Sequence, residues 1–144
     1  MIIGVIDAQG AGIGKTVIAK LRKEIYSDIH IIALGTNEFA TANMIKAGAD
    51  VGITGEKKII EFCKYHRMDC IIGPIGIIYS GGIQGEITTV ISEAVFHTTC
   101  AKYLIPLKKH GIYIPGTRNL KIKDAIEEIV YDIRKKCKDD IKNE

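Results

Sequence analysis

The chain has 144 residues, 47% of them hydrophobic, which suits one continuous core and is too little for two full domains. Lys and Arg number 20 against 17 Asp and Glu, a formal net charge of +3 that falls short of the clustered basicity of a dedicated nucleic-acid binder. The opening MIIGVIDAQG has no basic region or small-residue cleavage site. The longest apolar runs are broken by Gly, Pro or charge within about eight residues, too few to span a membrane. The expectation is a cytoplasmic protein with no membrane or nucleic-acid partner. Cys63, Cys70, Cys100 and Cys137 sit inside apolar patterns and read as reduced, buried thiols.

Taken in chain order, Ile2 to Ile6 is a near-continuous apolar run that ends at Asp7. Val17, Ile18, Leu21 and Ile25 then mark one helical face, and Ile31 to Leu34 is a second apolar run. A helix from about Glu38 to Ala47 closes at Gly48, which suits a left-handed cap. Val51 to Ile53 is a short strand at best. Thr54 can cap a helix carrying Ile59, Ile60 and Cys63. Cys70 to Ile72 and Tyr103 to Leu107 are further apolar runs, separated by a helical face of Ile87, Val90, Ile91, Ala94 and Val95. Ile112 to Ile114, before Pro115, reads as a sixth short strand. The last helix, about 123–140, has Ile126, Ile129, Val130, Ile133 and Cys137 on its inner side, and its polar end looks frayed. Runs without alternation fit strands buried on both faces. Strand and helix alternating at this period predict one α/β domain over 1–144: a three-layer, doubly wound, mostly parallel Rossmann-like sheet of five to six strands.

The most informative stretch is IIGVIDAQGAGIGKTVIA. A buried strand ends at Asp7, and Gly10, Gly12 and Gly14 lead into an amphipathic helix. Glycines let a backbone approach a ligand, and a new helix presents unpaired N–H groups and a positive dipole end. Such a turn wants an anion, most often phosphate, at the carboxyl edge of the sheet where open α/β folds bind ligands. Asp7, Gly10, Gly12, Ile13, Gly14, Lys15 and Thr16 are therefore candidate ligand residues. Three fingerprints compete. The dinucleotide pattern GxGxxG is met at Gly10 and Gly12 but has Lys15 at its third glycine. The phosphate loop GxxxxGK[ST] is met at Gly14, Lys15 and Thr16 but has Gln9 at its first. The short-chain dehydrogenase pattern TGxxxGxG is met at Gly12 to Gly14 but has Asp7 and Ala8 at its opening. Over this helix the chain looks most like the dehydrogenases, although their Tyr-x-x-x-Lys is missing because Leu107 lies four places after Tyr103. None of the later apolar runs ends in the acid that a phosphate-loop NTPase needs for Mg²⁺: Ile31 to Leu34 runs into Gly35, Cys70 to Ile72 into Gly73 and Tyr103 to Leu107 into Lys108. NAD(P) or another nucleotide is the expected cofactor, yet the second strand ends in Gly35, Thr36 and Asn37 and not in the ribose-binding acid of NAD sites. Thr36 and Asn37 either touch a ribose or phosphate or cap the next helix.

Gly73, Pro74 and Gly76 follow the Cys70 to Ile72 run and expose backbone at the same sheet edge. Gly81, Gly82 and Gly85 then form either a ligand-covering lid or an irregular connection before Glu86 and Thr88 open a helix. Cys63 with His66 and His97 with Cys100 supply four formal zinc ligands. Nothing in the sequence brings these two pairs together, so no metal is expected. Asp7 could position a ribose, act as a base, or bond its own turn. His30 and His110 flank strands.

IDAQGAGIGK, ALGTNEFATANMIKAGADVGITGE, CIIGPIGII and GEIT together resemble a family of small bacterial proteins described only as a domain of unknown function, over about residues 1–115. That resemblance carries no activity. A fainter similarity is to methylglyoxal synthase, whose phosphate loop Gly35 to Asn37 echo, with Gly73 to Gly76 echoing its later glycines; its paired aspartates have no counterpart. Three functions stay open. One is binding of a nucleotide or dinucleotide phosphate at Gly10 to Thr16. Another is a small phosphate-ligand enzyme of methylglyoxal-synthase-like or degenerate phosphate-loop type, with Asp7, Lys15 or Glu86 as acid or base. The third is a ligand-free structural subunit. A homodimer is expected, joined through Ile112 to Ile114 and the last helix.

Overall fold

A computed structural model describes residues 1–142. Five strands and five helices alternate: β1 (Ile2–Asp7), α1 (Gly12–Glu24), β2 (His30–Gly35), α2 (Glu38–Ala47), β3 (Val51–Thr54), α3 (Glu56–Tyr65), β4 (Cys70–Pro74), α4 (Thr89–Phe96), β5 (Ala101–Ile105) and α5 (Ile122–Lys142). All strand pairs are parallel, in the order β3-β2-β1-β4-β5. The architecture is the Rossmann-like α/β sheet that the apolar runs predict.

Alternate residues of the central strands feed two cores. Ile3, Val5, Ile31, Ala33 and Ile72 meet α1, α2 and α5 on one face. Ile6, Ile32, Leu34 and Ile71 meet α3 and α4 on the other. Two-sided burial explains why β1, β2 and β4 read as unbroken hydrophobic runs. The edge strands β3 and β5 are only partly covered. The helical faces also follow the sequence pattern: Val17, Ile18, Leu21 and Ile25 are buried, as are Ile126, Ile129, Val130, Ile133 and Cys137.

Four boundaries differ from the expectation. Residues 112–114 are not a strand. The Ile112 N–H donates to the Lys109 carbonyl and the Thr117 N–H to that of Ile114, with positive φ at His110, Gly111 and Gly116. These tight turns, with Pro115 lacking an N–H, leave no extended run to pair with an edge. The strand expected to join a dimer is therefore absent. Gly55, and not Thr54, precedes α3; Thr54 stays in β3 and donates its hydroxyl to Thr41 Oγ1 (2.8 Å). Ile87 lies before α4, capped by Thr88, and Val90 points outward. The last helix starts at Ile122 and is still regular at Lys142; the remaining tail lies outside the described residues.

In this strand order the chain leaves β1 first toward β2 and later toward β4. The carboxyl ends of β1 and β4 therefore flank the topological switch point, where open α/β sheets leave a crevice.

Candidate functional site

At that switch point lies a cleft of about 220 Å³ between the β1–α1 turn, the start of the β4–α4 connection and the β5–α5 connection. Asp7 ends β1 and is 5% exposed. Its Oδ1 accepts the Ala8 N–H and its Oδ2 the Gly14 N–H, both at 2.8 Å. Burial raises its carboxyl above the usual range, against the lowering effect of these two N–H groups; the nearby Glu86 charge raises it further.

Ala11 precedes α1 in the left-handed region (φ 54°) and offers no side-chain cap. Its N–H bonds the Ala8 carbonyl, the Gly14 N–H is taken by Asp7, and the first helical bond runs from Lys15 to Ala11. The N–H groups of Gly10, Gly12 and Ile13 find no acceptor among the described residues. All three residues line the cleft. A left-handed residue leading into a right-handed helix turns successive N–H groups toward one point, a concavity suited to an anion.

The three glycines of the turn serve different ends. A Cβ on Gly14 would stand 2.7 Å from Met44 Sδ and 3.1 Å from Asp7 Cβ, so that glycine seats α1 on α2 and on Asp7. Gly10 lies under the Phe39 ring, and its carbonyl accepts from Asn43 Nδ2 (2.9 Å). Gly12 has open space around its Cβ position. Close packing against side chains accounts for Gly14 and does not account for Gly12.

At the end of β2 the chain supplies its own anion. Glu86 accepts the Gln9 N–H (3.1 Å), the Thr36 hydroxyl (2.8 Å) and the Asn37 amide (2.9 Å). Partial burial opposes its charge, but these three donors hold its carboxyl below the usual range. Asn37 also caps α2, its Oδ1 accepting the Ala40 N–H at 2.9 Å. The connection bearing Glu86 is bonded internally: Gly81 N–H to the Ile87 carbonyl, Gly82 to Tyr79, Gly85 to Gly81 and Ile87 to Gly82. A Cβ on Gly82 would overlap the Gly76 carbonyl.

Of the residues singled out by sequence, Asp7, Gly10, Gly12, Ile13, Pro74 and Gly76 share the cleft wall. Gly14 and Gly73 pack behind it, Gly73 lying against the Ile6 carbonyl and Ile77. Thr36 and Asn37 hold Glu86. Lys15 and Thr16 are exposed on α1 outside the cleft lining, the Thr16 hydroxyl donating to the Gly12 carbonyl. Tyr79, Ile83, Lys109 and His110 also line the wall and carry no local signature. Lys109 is exposed and has no ion-pair partner among the described residues. Among the described residues five non-glycine residues have positive φ, and four of them, Gln9, Ala11, Ile83 and His110, line this cleft. Ile83 is the strongest outlier because β-branching penalises that conformation, and such strain concentrates where a fold serves a ligand.

Residues 2–138 match a family described as a domain of unknown function, DUF3842. The chain belongs to that family. No curated protein and no solved structure matches it. The family description assigns no activity, so the chemistry of the site rests on the cleft itself.

Away from the cleft, α3 and α4 pack side by side, and their carboxyl ends bring Cys63, His66, His97 and Cys100 to one surface cavity of about 680 Å³. The sequence gives no reason for that meeting. His66 stacks on Phe62 (4.6 Å between ring centres) and His97 meets the edge of Phe96 (5.5 Å). Among the described residues no three His, Cys, Asp or Glu are placed to hold a metal ion. Burial, with the Cys100 thiol nearby, pushes the Cys63 thiol up to about 11, and burial pushes Cys70 up to about 12. All four cysteines are free thiols. Among the described residues no helix is long and apolar enough to cross a membrane.

Proposed function

We propose that the protein binds a small phosphate-bearing ligand in the β1/β4 cleft, its phosphate on the N–H groups of Gly10, Gly12 and Ile13 with Lys109 opposite. The observation that carries this reading is the set of three backbone donors without an acceptor among the described residues, all three on residues that line a cleft at the switch point. Cleft size narrows the ligand. About 220 Å³ lies below the roughly 300–1,000 Å³ of sites that enclose drug-sized molecules, which favours a sugar phosphate or the phosphate end of a mononucleotide over a whole dinucleotide. Glu86 argues the same way. It already occupies Thr36 and Asn37, the groups that an NAD(P) adenosine ribose would need at the end of β2.

Calorimetric titration with methyl phosphate, a sugar phosphate, a mononucleotide and NAD tests the reading. The expected result is saturable binding of the small phosphate esters that Lys109→Ala weakens, with NAD no tighter than a mononucleotide. A flat response to all four, with no rise in Tm, rejects it.

A further inference from the structure

A second cavity of about 560 Å³ runs between α1 and α5. Its floor is apolar, built by Ile13, Ala19, Ile122 and Ile126. Gly12 and Ile13 line both this groove and the cleft, so the two meet at the amino end of α1. Lys20 approaches Glu127 (3.9 Å), and Glu24 approaches Arg134 (3.4 Å), so α1 and α5 run in the same direction. Ile122 and Lys123 therefore lie beside the open N–H groups, while Lys23 marks the far end. Gly12 to Lys23 spans about 16 Å of helix, the length of an extended chain of about a dozen carbons.

The rim is cationic. Lys20, Lys23 and Lys123 face one acid, Glu127, and neither Lys23 nor Lys123 has an ion-pair partner among the described residues. Apolar floor, basic rim and a terminus of unpaired donors together complement one kind of molecule. We infer that the protein binds an amphiphilic anion, a phosphate ester of a medium-length aliphatic chain, with its head in the cleft and its chain in the α1–α5 groove. This inference rests on the phosphate reading of the cleft and extends it by naming what the phosphate carries.

Titration of methyl, butyl and octyl phosphate, all below their micellar concentrations, separates the two ideas, with octanol as the headless control. The expected result is affinity rising about two- to threefold per added methylene, somewhat below the full value for complete burial because the groove is open, and no binding of octanol. Ile122→Glu places an acid on the floor at the first position of α5, where the helix dipole tolerates it. Ala19→Glu does the same at an exposed position of α1. Each should abolish the chain-length dependence, and Ala19→Glu, about two turns along α1 from Gly12, should leave methyl phosphate binding intact; it also serves if Ile122→Glu fails to fold. Equal affinity for methyl and octyl phosphate overturns the groove and leaves the cleft standing. Octanol binding as tightly as octyl phosphate overturns the head placement. Failure of all three phosphates overturns the cleft reading itself. A dimeric wild type that Ala19→Glu converts to monomer, with alkyl dependence unchanged, gives the groove to a second copy instead.

Discussion

Two glycine-rich connections leave the carboxyl edge of the sheet, 8–11 after β1 and 75–88 after β4, and they use glycine for opposite purposes. The first, with the start of α1 that it leads into, leaves the N–H groups of Gly10, Gly12 and Ile13 without acceptors among the described residues. The second closes on itself through four backbone bonds among Tyr79, Gly81, Gly82, Gly85 and Ile87, and brings Gly82 onto the Gly76 carbonyl. It is a pinned connection whose carboxylate, Glu86, fastens the first turn to the end of β2. Glycine density therefore does not distinguish a lid from a clamp. The destination of the backbone hydrogen bonds does.

The largest effect should come from the same substitution made in both connections. Gly82→Ala forces its Cβ into the Gly76 carbonyl and should cost about 3 kcal/mol or more, since backbone must move. Gly12→Ala meets open space at an ordinary helical φ and should be neutral or stabilising by about 0.5 kcal/mol through the unfolded chain. Urea unfolding of the pair decides it; equal losses would mean that the first turn is packed as tightly as the second.

Next in size is Asp7→Asn. The carboxylate accepts two N–H groups from opposite oxygens, and an amide can accept only on one side, so a buried donor is left facing NH₂. The expected loss is about 1–3 kcal/mol. Because burial raises the Asp7 pKa, the wild type carries a penalty above its folded pKa, and stability gained from this group rises as pH falls through that value. Asp7→Asn should lack the gain.

Glu86→Gln should cost less, about 1 kcal/mol, because the site is partly exposed. Its pH signature has the reverse sign. With its folded pKa held below the ordinary 4.5, Glu86 contributes stability above 4.5 that is lost as pH falls through the folded value. Variant and wild-type stabilities should converge on acidification. A constant gap down to the acid limb would show that the clamp is packing and not charge.

The sheet was legible because two-sided burial writes itself as unbroken apolar runs, Ile2 to Ile6 and Ile31 to Leu34 above all. The glycine turn was legible for the same local reason. Lys109 and His110 were not, since they belong to a connection of hydrogen-bonded turns whose Ile112 to Ile114 imitates a strand. Nor did Glu86 announce its partners, which lie 49 to 77 residues away along the chain. Cys63 and Cys100 share a cavity for a topological reason that no spacing encodes: α3 and α4 pack on one face of the sheet.

The smallest effect sets two lysines against each other. Lys15 lies in the first turns of α1, exposed and outside the cleft lining. A cation there opposes the positive end of the helix dipole, so Lys15→Ala should raise stability by about 0.3–0.5 kcal/mol and leave affinity for methyl phosphate within about twofold, as expected of a solvent-screened charge. Lys109 lines the cleft from the β5–α5 connection. Lys109→Ala should leave stability unchanged and lower that affinity about fivefold, the modest value of a charged contact at an exposed site. Sequence alone favours Lys15, because it completes a phosphate-loop pattern with Gly14 and Thr16. The fold favours Lys109, because the donors without an acceptor among the described residues belong to Gly10, Gly12 and Ile13, which line the cleft together with Lys109. A larger affinity loss in Lys15→Ala than in Lys109→Ala would place the phosphate over the exposed first turns of α1 and move the ligand out of the switch-point cleft.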